Sequence, residues 1–312
     1  MASRLALVTA ATASSIALIA VLANHWYFKR RKRQSCRRRL HFPNSQPADG
    51  PPRSLRVAGK FFIVTGAQGC GEAVAKALAI EGAAGLTICD IDKNKGAAVQ
   101  ATIEAEPYRC SAVFVCCDLS VASECSRCVA AHDAAFHRID GLVNCAASNE
   151  RGTWDETSAE DFDRTMALNA RAPFLLMQGI AQLMARDGHG GSIVNIGSVH
   201  AHGGTPKLVA NAASKSALLA LTRNFAFAMR RQRIRANYIA LGWTDTPTEH
   251  QAMLSDGAPS DWLEKADAGH PFGRILRPDD VARLVVHLMS DDAALQTAAC
   301  IDLHEKFLGT WE

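Results

Sequence analysis

The chain has 312 residues, 48% apolar and 21% charged, which gives enough apolar material for a globular core and places it outside the disordered and fibrous classes. Its net charge of +3 hides a division: residues 1–57 carry eleven Lys/Arg against one acid, Asp49, leaving 23 bases against 30 acids in the rest. An acidic folded part argues against a nucleic-acid surface, so no nucleic-acid partner is expected.

The first predicted element is an N-terminal hydrophobic helix. Leu5 to Asn24 contain no charge, and twenty helical residues at about 1.5 Å each span roughly 30 Å, the thickness of a bilayer's hydrocarbon core. The aromatic "HWYF" follows, then eight Lys/Arg between Lys29 and Arg39. Such a basic block stays on the cytosolic side. Residues 1–28 therefore read as a membrane anchor, with the domain facing the cytosol. A cleaved secretory peptide ending near Ala23 and an organelle transit peptide remain as alternatives. The basic block resists translocation, and its charges stand after the apolar run, not through it. Residues 29–56 form a basic and Pro-rich linker ending in "NSQPADGPPRS".

From residue 57 to 312, short apolar runs alternate with helix-length segments. "KFFIVTG", "AGLTICD", "SAVFVCCD", "GLVNCA", "GSIVNIGS", "RIRANYIALG" and "TAACIDL" are apolar on both faces, as buried parallel strands are. The long segment from Ser158 predicts a helix capped by Ser158, with Phe162, Met166, Leu176, Ile180 and Leu183 on one apolar side. The alternation specifies an α/β fold: a single-domain, doubly wound parallel sheet of Rossmann type. The ten cysteines show no disulfide framework. Cys70, Cys89, Cys116, Cys117, Cys145 and Cys300 fall in predicted strands or beside the first turn, where cysteine acts as a small hydrophobe, and a reducing compartment fits. Cys125, Cys128 and His132 share one side of a helix. That spacing reads as a buried face and not a metal site, because zinc sites separate their ligand pairs by a longer loop.

The chemistry begins at "VTGAQGCG". Glycines at the first strand-to-helix turn let the backbone approach a pyrophosphate, whose charge the helix N-terminus attracts. Asp90 ends the second strand, nineteen residues after Gly71. A carboxylate there accepts from the adenosine ribose diol and repels a 2′-phosphate, favouring NAD over NADP; the alternative role is a strand-end cap. With these motifs in order, the chain from residue 57 onward resembles the short-chain dehydrogenase/reductase family. The resemblance implies cofactor contacts from Gly66, Gly69 and Gly71, from Asp90, and from Asp118 of "CDLS" at the adenine. It also implies Asn144 of "LVNCAA" on the cofactor side, Lys215 at the nicotinamide ribose and Thr246 of "LGWTDTPT" at the carboxamide. Asn169 corresponds to the asparagine that holds a proton-relay water, and Ser198 to the serine that bonds the substrate oxygen. A homo-oligomer is implied as well.

Departures from the family pattern concern the chemistry. The first two glycines of the turn, Gly66 and Gly69, have two residues between them where the family has three. Cys145, Ala147 and Leu241 replace an asparagine, a glycine and a proline. Most consequentially, Asn211 of "NAASK" occupies the tyrosine position. Hydride transfer needs an accompanying proton at oxygen, and an amide does not titrate near neutral pH. Losing general acid–base assistance costs roughly 10²–10⁴ in rate. Of the three tyrosines, Tyr27, Tyr108 and Tyr238, none falls near the site in this alignment; His200 and His202 follow Ser198 and are the alternative proton carriers. The implied activity is NAD-linked interconversion of a small-molecule secondary alcohol and ketone, impaired at Asn211. The alternative is a catalytically silent cofactor-binding or scaffold protein. The segment from Asp245 to Arg274 is the part expected to close over substrate.

Overall fold

β1 (Phe61–Thr65) carries five consecutive apolar or β-branched residues and is buried on both faces from its second position on. It lies inside the sheet, not at an edge, because both faces and both edges need cover. The computed structural model describes residues 55–105, 107–108, 110–203 and 205–304. Among these, β2 (Gly85–Asp90), β3 (Ser111–Cys116), β4 (Gly141–Asn144), β5 (Gly191–Ile196), β6 (Ile234–Leu241) and β7 (Cys300–Leu303) complete the sheet. Each is one of the predicted runs. The order is β3-β2-β1-β4-β5-β6-β7, with every neighbouring pair parallel. The winding direction reverses between β1 and β4, so their C-terminal ends open a crevice in which such folds bind ligands.

Strand alternation sorts the core into two layers. Phe62, Val64, Leu86, Ile88, Val143 and Val194 face α1 (Cys70–Ile80), α2 (Lys93–Glu104) and α9 (Pro278–Met289). Ile63, Cys89, Leu142 and Ile193 face α3 (Ala122–Phe136) and α5 (Ala172–Asp187). α6 (Val209–Met229) closes that second layer over β6. α3 buries Cys125, Cys128 and His132, the face read from the sequence. His132 Nδ1 lies 2.8 Å from Thr87 Oγ1 and Nε2 lies 3.0 Å from the Arg138 carbonyl, and burial drives its pKa down to about 4, so it is a neutral core histidine. The nine described cysteines are free thiols. Cys116 differs from its expected burial: β3 is the sheet edge, and this side chain is exposed.

The segment from Ser158 is not one continuous helix. Ser158 caps α4 (Ala159–Met166) by accepting from the Asp161 N–H at 3.1 Å, as predicted. A π-helical turn at Ala167–Arg171 then separates α4 from α5. The extra residue rotates the following face, so Phe162 is exposed while Leu176 and Ile180 are fully buried. α7 (Pro247–Ser255) and α8 (Trp262–Gly269) form the segment between β6 and α9, where the Trp243 and Trp262 rings stack at 5.7 Å. Arg56, assigned to the linker, already belongs to the fold through its 2.8 Å ion pair with Glu81. The apolar run Leu5–Asn24 and the basic block lie outside the described residues; among those described, no helix is long and apolar enough to cross a membrane.

Candidate functional site

A cleft of about 1680 Å³ runs along the C-terminal ends of the strands. Gly66, Gly69, Asp90, Asp118, Ser198, Asn211, Lys215 and Thr246 all line it, so the fold gathers residues up to 180 positions apart onto one surface. At one end, β1 passes into α1 through a turn that only glycine permits. A Cβ on Gly71 would stand 2.1 Å from the Gly66 carbonyl oxygen, and Gly69, at φ +56°, would press its Cβ against Thr246 at 3.2 Å. The turn closes through the Gly71 N–H to the Gln68 carbonyl at 3.2 Å. Gln68 joins three elements: its amide donates to Thr248 Oγ1 at 3.1 Å and accepts from Lys95 Nζ at 2.7 Å.

Asp90 serves as the strand-end cap. One carboxylate oxygen accepts the Ala67 N–H of the turn at 2.6 Å, the other accepts Asp92 N–H at 2.7 Å, and the group still borders the cleft. Asp118 caps its own loop through Ser120 N–H at 2.8 Å. Asn144 does not line the cleft. Its Nδ2 donates to Asn195 Oδ1 at 2.7 Å, Asn195 donates to Thr222 Oγ1 at 2.8 Å, and the network ties β4, β5 and α6 together below the site. The Asn144 Oδ1 is buried with no partner among the described residues, an acceptor held at the sheet's C-terminal edge.

At the other end, Lys215 is buried, with Nζ donating to the Ile196 carbonyl at 2.9 Å. Burial lowers its pKa to about 8, opposed only by the Cys145 thiol. One helical turn earlier, Asn211 is 2% exposed. Its amide donates to the Ser148 carbonyl at 3.0 Å and to Asn149 Oδ1 at 3.1 Å. Asn169 Nδ2 donates to the same Ser148 carbonyl at 2.9 Å, and its Oδ1 accepts the Ser148 N–H at 2.8 Å. The two amides thus clamp the loop after β4. The N–H bonds of Asn211 point at that loop, which leaves only its oxygen lone pairs for a ligand.

Tyr238 corrects the alignment-based placement of the tyrosines. It is fully buried in β6, yet its hydroxyl accepts the Ser198 N–H at 2.8 Å and lies 3.2 and 3.3 Å from the Ser198 and Lys215 carbonyls. Its ring fills the space a side chain on Gly197 would need, with Cζ 1.7 Å from that Cβ position. A glycine directly before Ser198 is the sequence signal for this. Burial pushes the Tyr238 phenol well above its ordinary pKa, so it is a support for the Ser198 backbone and not a proton source. Ser198 Oγ accepts the His200 N–H at 3.1 Å, and His200 itself borders the cleft. His202 instead lies near Cys300 and Asp302 at the β7 edge. Sequence reasoning also missed Arg151, paired with Glu249 at 3.2 Å and Asp256 at 2.5 Å, and Trp243, whose indole donates to Glu249 at 2.9 Å. These pairs pin α7 over the mouth, and no periodic pattern announces them.

The donor set suits a nicotinamide dinucleotide. The glycine cradle after β1, the carboxylate at the end of β2 and the buried ammonium on α6 border one cleft, and its volume exceeds the roughly 300–1,000 Å³ of a small-molecule site. Residues 64–303 match the family described as enoyl-(acyl carrier protein) reductase. The chain is 32% identical over 250 residues to an uncharacterized oxidoreductase of Thermotoga maritima, spanning 80% of this chain and 97% of the relative. It is 32% identical to the (3R)-3-hydroxyacyl-CoA dehydrogenase of Rattus norvegicus, spanning 80% and 96%. It is 34% identical to the D-threitol dehydrogenase of Mycolicibacterium smegmatis, spanning 78% and 91%. The crystal structure of levodione reductase superposes with a TM-score of 0.75 at 28% identity, spanning 80% of this chain and 97% of that one.

Proposed function

The chain belongs to the short-chain dehydrogenase/reductase family, and we propose that it binds NAD in preference to NADP and interconverts a small secondary alcohol and a ketone with an impaired proton step. One observation carries this reading: the glycine turn, Asp90, Ser198 and Lys215 border a single continuous cleft. The bound dinucleotide supplies the hydride acceptor or donor. The turn and the positive end of α1 hold the pyrophosphate, Asp90 the adenosine ribose, and Lys215 the nicotinamide ribose. Ser198, its backbone fixed by Tyr238, orients the reacting oxygen.

The proton is the weak point. Asn211 holds the loop through Ser148 and Asn149 and has no titrating proton. Lys215, with its pKa near 8, is then the buried ionisable group one turn from that position, and it takes over proton exchange slowly. A second reading, a cofactor-binding protein without turnover, is favoured by this same commitment of the Asn211 amide. Titrating NADH into the purified protein and then adding secondary alcohols with NAD separates the two. Binding with alcohol-dependent NADH formation upholds the enzyme; binding alone leaves the silent reading; no binding refutes both.

The N-terminal run acts as an anchor with the domain facing the cytosol, and two chains associate through α5 and α6. An apolar groove of about 420 Å³ between those helices, bordered by Phe174, Met177, Leu221 and Phe225, supports the association. Sedimentation of the full chain with and without vesicles tests both points.

A further inference from the structure

Three thiols converge where the adenosine end of the cleft meets the core. Cys89 stands directly before Asp90 in β2, Cys117 directly before Asp118 after β3, and Cys128 on α3. Their Sγ atoms all lie within 4.8 Å of one another, and those of Cys117 and Cys128 are 3.1 Å apart. That gap is only about 1 Å longer than a disulfide bond. Core packing explains why three cysteines are buried. It does not explain why all three sulfurs point at one spot beside the cleft.

The three are not equivalent. Cys89 and Cys128 are fully buried, whereas Cys117 is 4% exposed; Cys89 and Cys117 border the cleft and Cys128 does not. Hydrogen bonding with Cys128 and Cys89, together with the nearby Arg127 guanidinium, holds Cys117 below an ordinary thiol. Cys128 and Cys89, bonded to it, are held above. The arrangement places a nucleophilic thiolate at an opening and a protonated resolving thiol behind it.

We propose that Cys117 is a redox modification site: a hydroperoxide entering through the cofactor cleft oxidises it, and Cys128 then closes onto it as a disulfide. In the first step the Cys117 thiolate attacks one peroxide oxygen and the O–O bond breaks. Sulfur loses two electrons and becomes a sulfenic acid, and the departing oxygen leaves as water or an alcohol after taking a solvent proton. In the second step the Cys128 sulfur attacks the Cys117 sulfur. The S–S bond forms, the S–O bond breaks, and the hydroxide departs as water with the Cys128 proton. Cys89 remains a thiol. Closing the bond pulls the end of β3 toward α3. Because the Cys117 N–H donates to the Asp90 carbonyl at 2.9 Å, the adenosine end of the cleft moves with it. Coupling to the dinucleotide rests on the proposed function; the cross-link itself does not.

The test treats the full-length protein with hydrogen peroxide, counts free thiols by alkylation and maps peptides by mass. The expected product is a Cys117–Cys128 link with two thiols lost, reversed by dithiothreitol. It disappears in Cys117→Ser and in Cys128→Ser and persists in Cys116→Ser, the exposed neighbour. Saturating NADH should slow its formation about tenfold by covering Cys117. A link that forms at the same rate with NADH upholds the site and overturns only the cofactor reading. Cys117 and Cys128 still alkylatable after treatment, or Cys117 driven to sulfonic acid without a link, overturns the proposal in the wild-type chain, whatever the variants do. One equivalent of a thiophilic metal on the purified chain, blocking oxidation until chelated, would also overturn it.

Discussion

Lys215 gives the sharpest prediction, because its burial sets a sign and a size. The ammonium is 4% exposed, has the Ile196 carbonyl as its partner, and releases its proton near pH 8 against an ordinary 10.5. The folded pKa therefore lies below the unfolded one. Below pH 8 both states carry the proton, and the folded chain bears the whole desolvation penalty. Between about 8 and 10.5 the folded chain loses its proton first, the unfolded chain binds more, and stability rises with pH. The gap corresponds to roughly 3 kcal/mol for a fully buried group. Buried thiols such as Cys70 and Cys145 have raised pKa values and act in the opposite direction at high pH, so the wild-type profile alone is ambiguous. The difference between wild type and Lys215→Met isolates the lysine. Denaturant unfolding of the cofactor-free proteins at pH 7 and pH 10 should show wild type gaining about 2–3 kcal/mol on the variant. Parallel profiles, within about 0.5 kcal/mol, would refute the argument that burial controls this amine.

Asn211→Tyr restores a phenol beside Lys215 and should raise alcohol-dependent NADH formation by about 10²–10⁴. The lost bonds to Ser148 and Asn149 should lower stability by roughly 2 kcal/mol; an unchanged rate in a protein that still binds NADH would move the defect to the shortened turn. Gly71→Ala forces a Cβ to within 2.1 Å of a backbone oxygen that no rotamer change relieves. It should cost roughly 3 kcal/mol and abolish NADH binding, checked by melting and by fluorescence titration. Tyr238→Phe strips the acceptor from the half-buried Ser198 N–H and should cost about 1–3 kcal/mol. Turnover should fall with it while NADH affinity holds, and an equal loss of both would contradict a role confined to Ser198.

The clamp built by Asn169 and Asn211 on Ser148 gives residue 211 a structural duty in the cleft wall. The Asn211 amide faces the loop after β4 and satisfies it with two donated bonds at once. Packing of the cleft wall is what Asn211 serves directly.

Much of the architecture follows from the order of residues. Seven apolar runs became seven parallel strands because buried strands demand apolar side chains on both faces, and the glycines of the first turn, Asp90 and Ser198 reach the cleft because the C-terminal ends of parallel strands all point the same way. Contacts between residues distant in the chain were not legible. The π-helical turn between α4 and α5, the hydroxyl of Tyr238 under Ser198, the Arg151 pairs across to α7 and the convergence of Cys89, Cys117 and Cys128 each depend on how the elements pack. Periodicity reports which face of an element is buried, a local property. Which side chains touch across that buried space is decided by packing, and only the tertiary structure contains it.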